Sequence, residues 1–254
     1  MSTTSIGIAG IAGRMGRLLA EEVTAAGAHL AGGFDRTEPP PAQIYESIGP
    51  LAQACDVVVD FTHASLAASH AAAMAESGTA WVLGTTGLSP ADEAAVAQAA
   101  TRIAVVYAAN FSPGVNLVLA LAEQMAAALP AETYDAEIVE MHHRQKVDAP
   151  SGTAVAMGRA VARGRGVDLA AVTESGRDGH TAPRRTGAIG FAALRGGQVV
   201  GEHTLLFAAG DEHIALTHRA FDRRVFATGA IRAAMWVAGR PPGLYNMRHV
   251  LGIG

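Results

Sequence analysis

The chain has 254 residues, of which half are apolar and 17% are charged. Because an average globular protein carries about 25% charged residues, this composition predicts a folded chain with ample core and excludes dominant disorder. The formal net charge of -4 excludes the basic surface of a nucleic-acid-binding or membrane-surface protein, so we expect small-molecule or protein partners.

Cysteine usage and hydropathy indicate where the protein works. The single cysteine, Cys55, excludes an intrachain disulfide and a four-thiolate metal site, and it fits a reducing compartment. The first apolar stretch has no Lys/Arg-rich start and is interrupted by glycines, which is not the pattern of a signal peptide. No run of 18 apolar residues occurs, so we expect no membrane span and a cytoplasmic protein.

Short apolar strands alternate with helical stretches in the first part of the chain. The predicted strands are residues 5–9, 28–34, 57–61, 81–84 and 104–108, and the predicted helices are residues 17–26, 65–76 and 90–100. This alternation predicts an α/β domain with a Rossmann-like, doubly wound parallel sheet, which we assign to residues 1–110.

A different pattern follows. It has helices over residues 114–129 and 152–163 and strands over residues 134–141, 189–194, 199–207 and 213–219. Strands in hairpin order predict a second, α+β domain, residues 111–221, with an open mixed or largely antiparallel sheet. A last amphipathic helix, residues 225–238, indicates that residues 222–254 return to the first domain.

A glycine turn, Gly10-x-x-Gly13-x-x-Gly16, lies between the first predicted strand and helix. Glycines at this place let the backbone approach a pyrophosphate, which the N–H groups of the helix N-terminus bind. Asp35 ends the second strand, where a carboxylate bonds ribose hydroxyls, and Arg36 beside it would neutralise a 2′-phosphate. The glycine turn and this pair therefore predict binding of NADH, NADPH or both. The alternatives are a tight turn without ligand for the glycines and a solvated surface pair for Asp35 and Arg36.

Two further segments follow predicted strands and are expected at the carboxyl edge of the sheet, where such folds bind ligands. They are Gly84-Thr85-Thr86-Gly87 and Ala108-Ala109-Asn110-Phe111. Small residues would admit a flat nicotinamide, and Asn110 would hydrogen-bond its carboxamide. Ordinary strand-ending turns are the alternative for both.

The polar segment from Glu140 to Thr153 is the most informative part of the sequence. Ser151 is predicted to cap a helix whose N–H groups, with His143 and Lys146, would form a receptor for a carboxylate. A hydride acceptor also needs a proton, which His142 or Lys146 would supply. An exposed polar loop after a strand is the alternative.

Paired histidines also raise the possibility of a metal site. Adjacent side chains on a strand point to opposite faces, so His142 and His143 would not chelate one ion together. We therefore expect no metal.

These motifs resemble the 4-hydroxy-tetrahydrodipicolinate reductase family along the whole chain. The resemblance rests on the glycine turn and on Asp60-Phe-Thr62, Gly84-Thr-Thr-Gly87, Ala108-Ala-Asn-Phe111, Gly179-His-Thr181, Gly201-Glu-His-Thr204 and, most specifically, His142-His-x-x-Lys146-x-Asp-Ala-Pro-Ser-Gly-Thr153. It implies reduction of 4-hydroxy-tetrahydrodipicolinate to tetrahydrodipicolinate with loss of water, in lysine and diaminopimelate synthesis. It also implies a homotetramer built through the sheet of the second domain, which binds the cyclic dicarboxylate.

By the same resemblance, His142 and Lys146 are catalytic. The substrate would contact His143, Lys146, Ser151, Gly152 and Thr153, and the dinucleotide would contact Gly10, Ile11, Ala12, Gly13, Arg14, Met15, Asp35, Arg36, Gly84, Thr85, Thr86, Ala108, Ala109, Asn110 and Phe111. Two departures concern the adenosine side of the pocket. The stretch between Asp35 and Asp60 is short and contains three consecutive prolines, and the acidic position is Asp rather than the Glu of many members.

Two other functions remain open at this point. One is a related dehydrogenase that reduces the imine of an open-chain amino acid, which would not need both carboxylate-binding elements. The other is a nonenzymatic NAD(H)-sensing module, which would need neither His142 nor Lys146.

Overall fold

A computed structural model describes residues 3–35 and 43–253. The chain divides into two compact units. The first comprises the chain up to Pro113 and from Arg224 onward, and the second runs from Gly114 to Arg223.

The strands, in chain order, are β1 Ser5–Ala9, β2 His29–Phe34, β3 Val57–Asp60, β4 Ala80–Leu83, β5 Ala104–Tyr107, β6 Asp135–His142, β7 Thr173–Ser175, β8 Ile189–Arg195, β9 Gly201–Ala208, β10 His213–Ala220 and β11 Gly243–Tyr245. The helices are α1 Arg14–Ala25, α2 Ile48–Gln53, α3 Ala67–Ser77, α4 Pro90–Ala99, α5 Pro113–Ala128, α6 Gly152–Arg165, α7 Leu169–Val172, α8 Arg224–Val237 and α9 Met247–Leu251. None of these helices is long and apolar enough to cross a bilayer.

The first unit contains a six-stranded sheet in the order β11-β5-β4-β3-β1-β2. Every pairing in it is parallel, which confirms the predicted Rossmann-like sheet. Val57–Asp60 is buried throughout, as expected for a strand covered on both faces. Separate apolar clusters lie on the two faces, one including α1 and α8 and the other including α2, α3 and α4.

The C-terminal segment belongs to the first unit and packs there through α8. Its residues Ala227, Ala230 and Ile231 belong to the same apolar cluster as Ile6 and Ile8 of β1. Strand β11 then adds to the edge of the sheet beside β5.

The second unit contains a mixed sheet in the order β10-β9-β6-β8-β7. β9 pairs antiparallel with β6 and β10, whereas β8 pairs parallel with β6 and β7. This confirms the predicted open mixed sheet. The hairpin order expected for β8 and β9 is wrong, because these two strands lie on opposite sides of β6. Their connection crosses the end of β6, where Gly196 N donates to His142 O and Arg144 N donates to Gly197 O.

Helix α6 covers one face of this sheet. Alternate residues of β6 point to that face, and Ala136 and Ile138 pack there against Ala154 and Met157 of α6. Glu140 and His142 continue the same alternation and are also buried. The polar end of β6 therefore lies on the face where α6 begins.

Candidate active site

The glycine turn joins β1 to α1 as predicted, but the helix begins at Arg14, three residues earlier than the sequence indicated. Gly10 has φ of 84°, a conformation that favours glycine, and Gly13 is the N-cap residue without a side-chain cap. A Cβ at Gly16 would lie 2.1 Å from Gly10 O. The turn therefore requires glycine and leaves the first N–H groups of α1 without a side-chain cap, as phosphate binding needs.

Asp35 lies beside this turn at the end of β2. Its Oδ2 accepts a hydrogen bond from Ala12 N at 2.9 Å, so the carboxylate is held against the glycine turn. A cavity of about 260 Å³ lies here, lined by Gly10, Gly13, Phe34, Asp35, Phe61, Thr62, His63 and Leu66. Arg36, the other predicted residue, lies outside the described ranges.

The ends of β4 and β5 carry the other predicted cofactor residues. Gly84 packs against Phe61, whose ring atoms would lie as close as 2.3 Å to a Cβ there. Thr85 Oγ1 is buried and has no hydrogen-bond partner within the described chain, as expected for a group that a ligand completes. Asn110 Oδ1 accepts from Ser112 N at 2.8 Å, and Phe111 is buried with its ring 5.6 Å from that of Phe61.

A buried hydrogen-bonded pair, Asp60 and His70, supports this edge, and sequence reasoning missed it. Asp60 Oδ2 lies 2.7 Å from His70 Nδ1, and Asp60 Oδ1 accepts from both the backbone N and Oγ1 of Thr62. The pair fixes the segment between Asp60 and Thr62, which contains Phe61. Taken together, the turn, the acidic residue and the unpaired Thr85 hydroxyl fit a nicotinamide dinucleotide.

In the second unit, one buried carboxylate organises the polar segment. Glu140 Oε2 accepts from His142 Nδ1 at 2.6 Å, and Glu140 Oε1 accepts from Ser151 N at 3.1 Å. Arg195 of β8 donates to both oxygens at 2.8 Å. A single side chain therefore brings His142 and the start of α6 within reach of the same group.

Lys146 and His143 lie in the loop after β6. Lys146 Nζ donates to Asp148 Oδ1 at 2.7 Å, and about a fifth of the lysine side chain is exposed. His143 is half-buried, and its Nδ1 has no hydrogen-bond partner among the residues that the structure describes. Lys146 is therefore accessible to a small anion, whereas His143 Nδ1 is a buried polar atom whose hydrogen bond a ligand would complete.

Ser151 caps α6, which confirms that part of the prediction. Its Oγ accepts from Ala154 N at 3.2 Å, and it lies 2.9 Å from Nε2 of His203. Gly152 is exposed, and no atom lies within 4 Å of where its Cβ would be. The first turn of α6 is thus open to an anion at Gly152, next to Thr153.

Burial and charge set the proton affinities in this cluster. Burial lowers the pKa of His142, and the positive charges of Lys146 and Arg195 lower it further. Together they outweigh Glu140, whose hydrogen bond and negative charge raise this pKa. Burial raises the pKa of Glu140, but hydrogen bonds from Arg195, His142 and Ser151 bring it below its ordinary value. His142 is therefore neutral and Glu140 ionised at neutral pH.

Sequence reasoning missed Arg195 and left His203 without a role. The signal for Arg195 was indirect: Glu140 alternates with Ala136 and Ile138 on the buried face, so its carboxylate required a cationic partner. Within residues 3–35 and 43–253, no three His, Cys, Asp or Glu side chains are grouped to hold a metal ion.

Comparison with known proteins matches both units to one family. The family model described as dihydrodipicolinate reductase, N-terminus, matches residues 4–111, and that described as dihydrodipicolinate reductase, C-terminus, matches residues 114–251. The 4-hydroxy-tetrahydrodipicolinate reductase of Granulibacter bethesdensis is 66% identical, covering 98% of this chain and 97% of the relative. That of Gluconacetobacter diazotrophicus is 64% identical with the same coverage.

Among solved structures, a dipicolinate-bound dihydrodipicolinate reductase from a Paenisporosarcina species has the same fold. Its TM-score is 0.81 at 24% identity, with 96% of this chain and 98% of that chain covered. The chain therefore belongs to the dihydrodipicolinate reductase family.

Proposed function

We propose that this protein reduces 4-hydroxy-tetrahydrodipicolinate to tetrahydrodipicolinate with loss of water, and that the segment from Glu140 to Thr153 binds the substrate and moves the protons. The carrying observation is Glu140, whose two oxygens hold His142 and the start of α6. The relatives' identity of 64–66% over 98% of the chain makes it an NAD(P)H oxidoreductase, which outweighs both a sensor module and an open-chain imine dehydrogenase.

A substrate carboxylate would bind at the N-terminus of α6. The first turn of α6 is open at Gly152, and the N–H groups and partial positive charge of a helix N-terminus favour an anion. His143 Nδ1, buried and without a partner in the described residues, and the Lys146 ammonium supply further donors. These contacts suit a cyclic dicarboxylate such as the dipicolinate named for the Paenisporosarcina structure.

A bound dihydronicotinamide supplies the hydride for the conjugated imine. The chain supplies the protons, and we assign these to two residues. Lys146, paired as a cation with Asp148, donates a proton to the substrate. His142, neutral because burial lowers its pKa, has its Nδ1–H held by Glu140, so its Nε2 accepts and returns a proton during water loss.

The dinucleotide would bind the first unit at Gly10, Ile11, Ala12, Gly13, Arg14, Met15, Asp35, Gly84, Thr85, Thr86, Ala108, Ala109, Asn110 and Phe111. We further propose that NADH is preferred over NADPH. The Asp35 carboxylate, held against the glycine turn, hydrogen-bonds ribose hydroxyls and repels a 2′-phosphate.

We also propose a cytoplasmic homotetramer built through the second sheet. The face of that sheet opposite α6 exposes Val139 by 40% and Leu194 by 52%, which is apolar surface that a second copy would cover. Light scattering coupled to gel filtration tests the tetramer directly.

The proposed cytoplasmic location suits the single cysteine, Cys55. Burial raises its pKa to about 11, so this residue stays a thiol.

The test of the function is oxidation of NADH and of NADPH, measured separately with freshly generated 4-hydroxy-tetrahydrodipicolinate. We expect substrate-dependent oxidation by the wild type, and losses in kcat of about 100-fold or more in Lys146→Met and His142→Gln. Dinucleotide affinity, measured by calorimetry, should stay at the wild-type value in both variants. A parallel loss of dinucleotide affinity would contradict their assignment to proton transfer.

A further inference from the structure

Arg195 lies at the end of β8, and both terminal nitrogens of its guanidinium donate to oxygens of the protein. Its two terminal nitrogens each donate twice: NH1 to Glu140 Oε2 and Leu194 O, and NH2 to Glu140 Oε1 and Asp148 O. All four terminal N–H groups are thereby occupied, so they are not available to hold a substrate carboxylate. The contacts place Arg195 behind the site as a support.

Two of these contacts lead to the two proposed proton carriers. Glu140, held by both nitrogens, accepts from Nδ1 of His142 and thereby fixes which ring nitrogen carries hydrogen. Asp148, held through its carbonyl, accepts from Lys146 Nζ with its carboxylate. We propose that Arg195 is a positioning residue for both, acting on His142 through Glu140 and on Lys146 through Asp148. This inference rests on the proposed roles of His142 and Lys146.

Arg195 also neutralises a carboxylate that would otherwise act on His142 alone. The charged or titratable groups facing His142 are Glu140 of β6, Lys146 of the following loop, Arg195 of β8 and His203 of β9. Only Glu140 is an anion. With Arg195 removed, the unneutralised Glu140 would stabilise a protonated His142 and raise its pKa. The protonated imidazole is the wrong form for accepting a proton, so activity would be lost at a higher pH than in the wild type.

The test measures the proton affinity of His142 in the full-length protein without substrate, from the pH titration of its ring resonances by NMR, assigned with His142→Gln. In Arg195→Met we expect the pKa of His142 to rise by about one unit or more. In Glu140→Gln, which removes the anion, we expect it to fall. Because no turnover is involved, this measurement is independent of the substrate assignment.

Turnover then separates charge from geometry. Arg195→Lys keeps the charge, but an ammonium has three donors and does not reproduce the four contacts to Glu140, Leu194 and Asp148. We expect its His142 pKa to stay near that of the wild type while kcat falls at least several-fold. In Arg195→Met, kcat should fall further, and its acid limb should move to higher pH with the His142 pKa.

The matched control is Arg163→Met. Arg163 lies in the same unit and forms an exposed ion pair with Glu123, which this variant removes. It should leave the His142 titration and kcat unchanged. An unchanged His142 pKa in folded Arg195→Met would overturn the electrostatic part of the proposal. Wild-type kcat in Arg195→Lys would overturn the positioning part. Failure of the wild type to oxidise cofactor with this substrate would instead contradict the proposed function.

Discussion

Ser151 Oγ lies 2.9 Å from His203 Nε2, and both side chains are buried. Ser151 Oγ also accepts from Ala154 N, so the same hydroxyl links His203 to the first turn of α6. The other ring nitrogen of His203, Nδ1, is buried and has no partner in the described part of the chain. Burial, reinforced by the neighbouring His142, lowers the pKa of His203 to about 4.

This pKa predicts a pH-dependent stability. An unfolded histidine titrates near 6.5, so between pH 6.5 and about 4 the unfolded chain binds a proton that folded His203 does not. The free energy of unfolding should therefore fall as the pH drops through this window, by up to about 3 kcal/mol from His203 alone. Urea unfolding at several pH values, at constant protein concentration, measures the slope.

The variant His203→Gln should have a flatter slope than the wild type. Glutamine still offers Ser151 a hydrogen-bond partner but does not titrate. His213→Gln, which changes an exposed histidine on β10, is the control and should keep the wild-type slope. Equal slopes in His203→Gln and the wild type would show that His203 is not the buried neutral group described above.

Gly152→Ala tests the proposed carboxylate site at the first turn of α6. No atom lies within 4 Å of the added Cβ, and alanine is the better helix former, so the free energy of unfolding should stay the same or rise slightly. The methyl group would nevertheless lie at the surface that the substrate carboxylate approaches. We expect the KM for substrate to rise about tenfold or more, since losing one charge-assisted hydrogen bond costs about 1.5–3 kcal/mol.

The matched control is Gly210→Ala in the connection between β9 and β10, where the added Cβ also meets open space. Its KM for substrate should equal that of the wild type. Dinucleotide affinity should be unchanged in both variants. An unaltered substrate KM in Gly152→Ala would move the carboxylate site away from this turn.

Asp35→Asn tests the cofactor preference. Asparagine retains an oxygen that can accept from Ala12 N but removes the negative charge that opposes a 2′-phosphate. The ratio of kcat/KM with NADPH to kcat/KM with NADH should rise several-fold. The control is Asp56→Asn. Asp56 lies just before β3, where its carboxylate accepts from Ser5 N, and this variant should leave the ratio unchanged. A ratio that Asp35→Asn does not alter would assign discrimination to other residues.

The predictable features of this protein are those that the chain encodes locally. The alternation of strands and helices gave the parallel sheet, and the Ser151 cap followed from a short motif before a helical stretch. Helices α2, α7 and α9 span only 4 to 6 residues, too few to show a helical period, and the sequence did not indicate them.

The missed features depend on contacts distant in sequence. Arg195 and Glu140 are 55 residues apart, and only the register of β8 against β6 brings them together. Likewise, the short connection between β8 and β9 suggested a hairpin. Connection length does not reveal that the chain crosses the end of β6 and that β9 pairs on its other side. Local sequence patterns therefore did not indicate Arg195, which supports the site. They did indicate the residues that are proposed to contact the substrate.

Gly229→Ala tests how closely α8 packs on the first unit. Alanine in a helix interior normally stabilises a protein by about 0.5–1 kcal/mol relative to glycine. Here the added Cβ would lie 1.8 Å from the carbonyl oxygen of Phe111, so backbone must move. Overpacking costs about 1–3 kcal/mol. We expect this cost to exceed the gain in helix propensity, so the free energy of unfolding should fall.

Urea unfolding compares this variant with Gly152→Ala, which gains a methyl group in open space and should not lose stability. Because Phe111 is one of the proposed dinucleotide contacts, Gly229→Ala should also weaken dinucleotide binding under conditions where the protein remains folded. Greater stability of Gly229→Ala than of the wild type would mean that α8 does not lie against Phe111. A loss of stability with unchanged dinucleotide affinity would instead remove Phe111 from the proposed cofactor contacts.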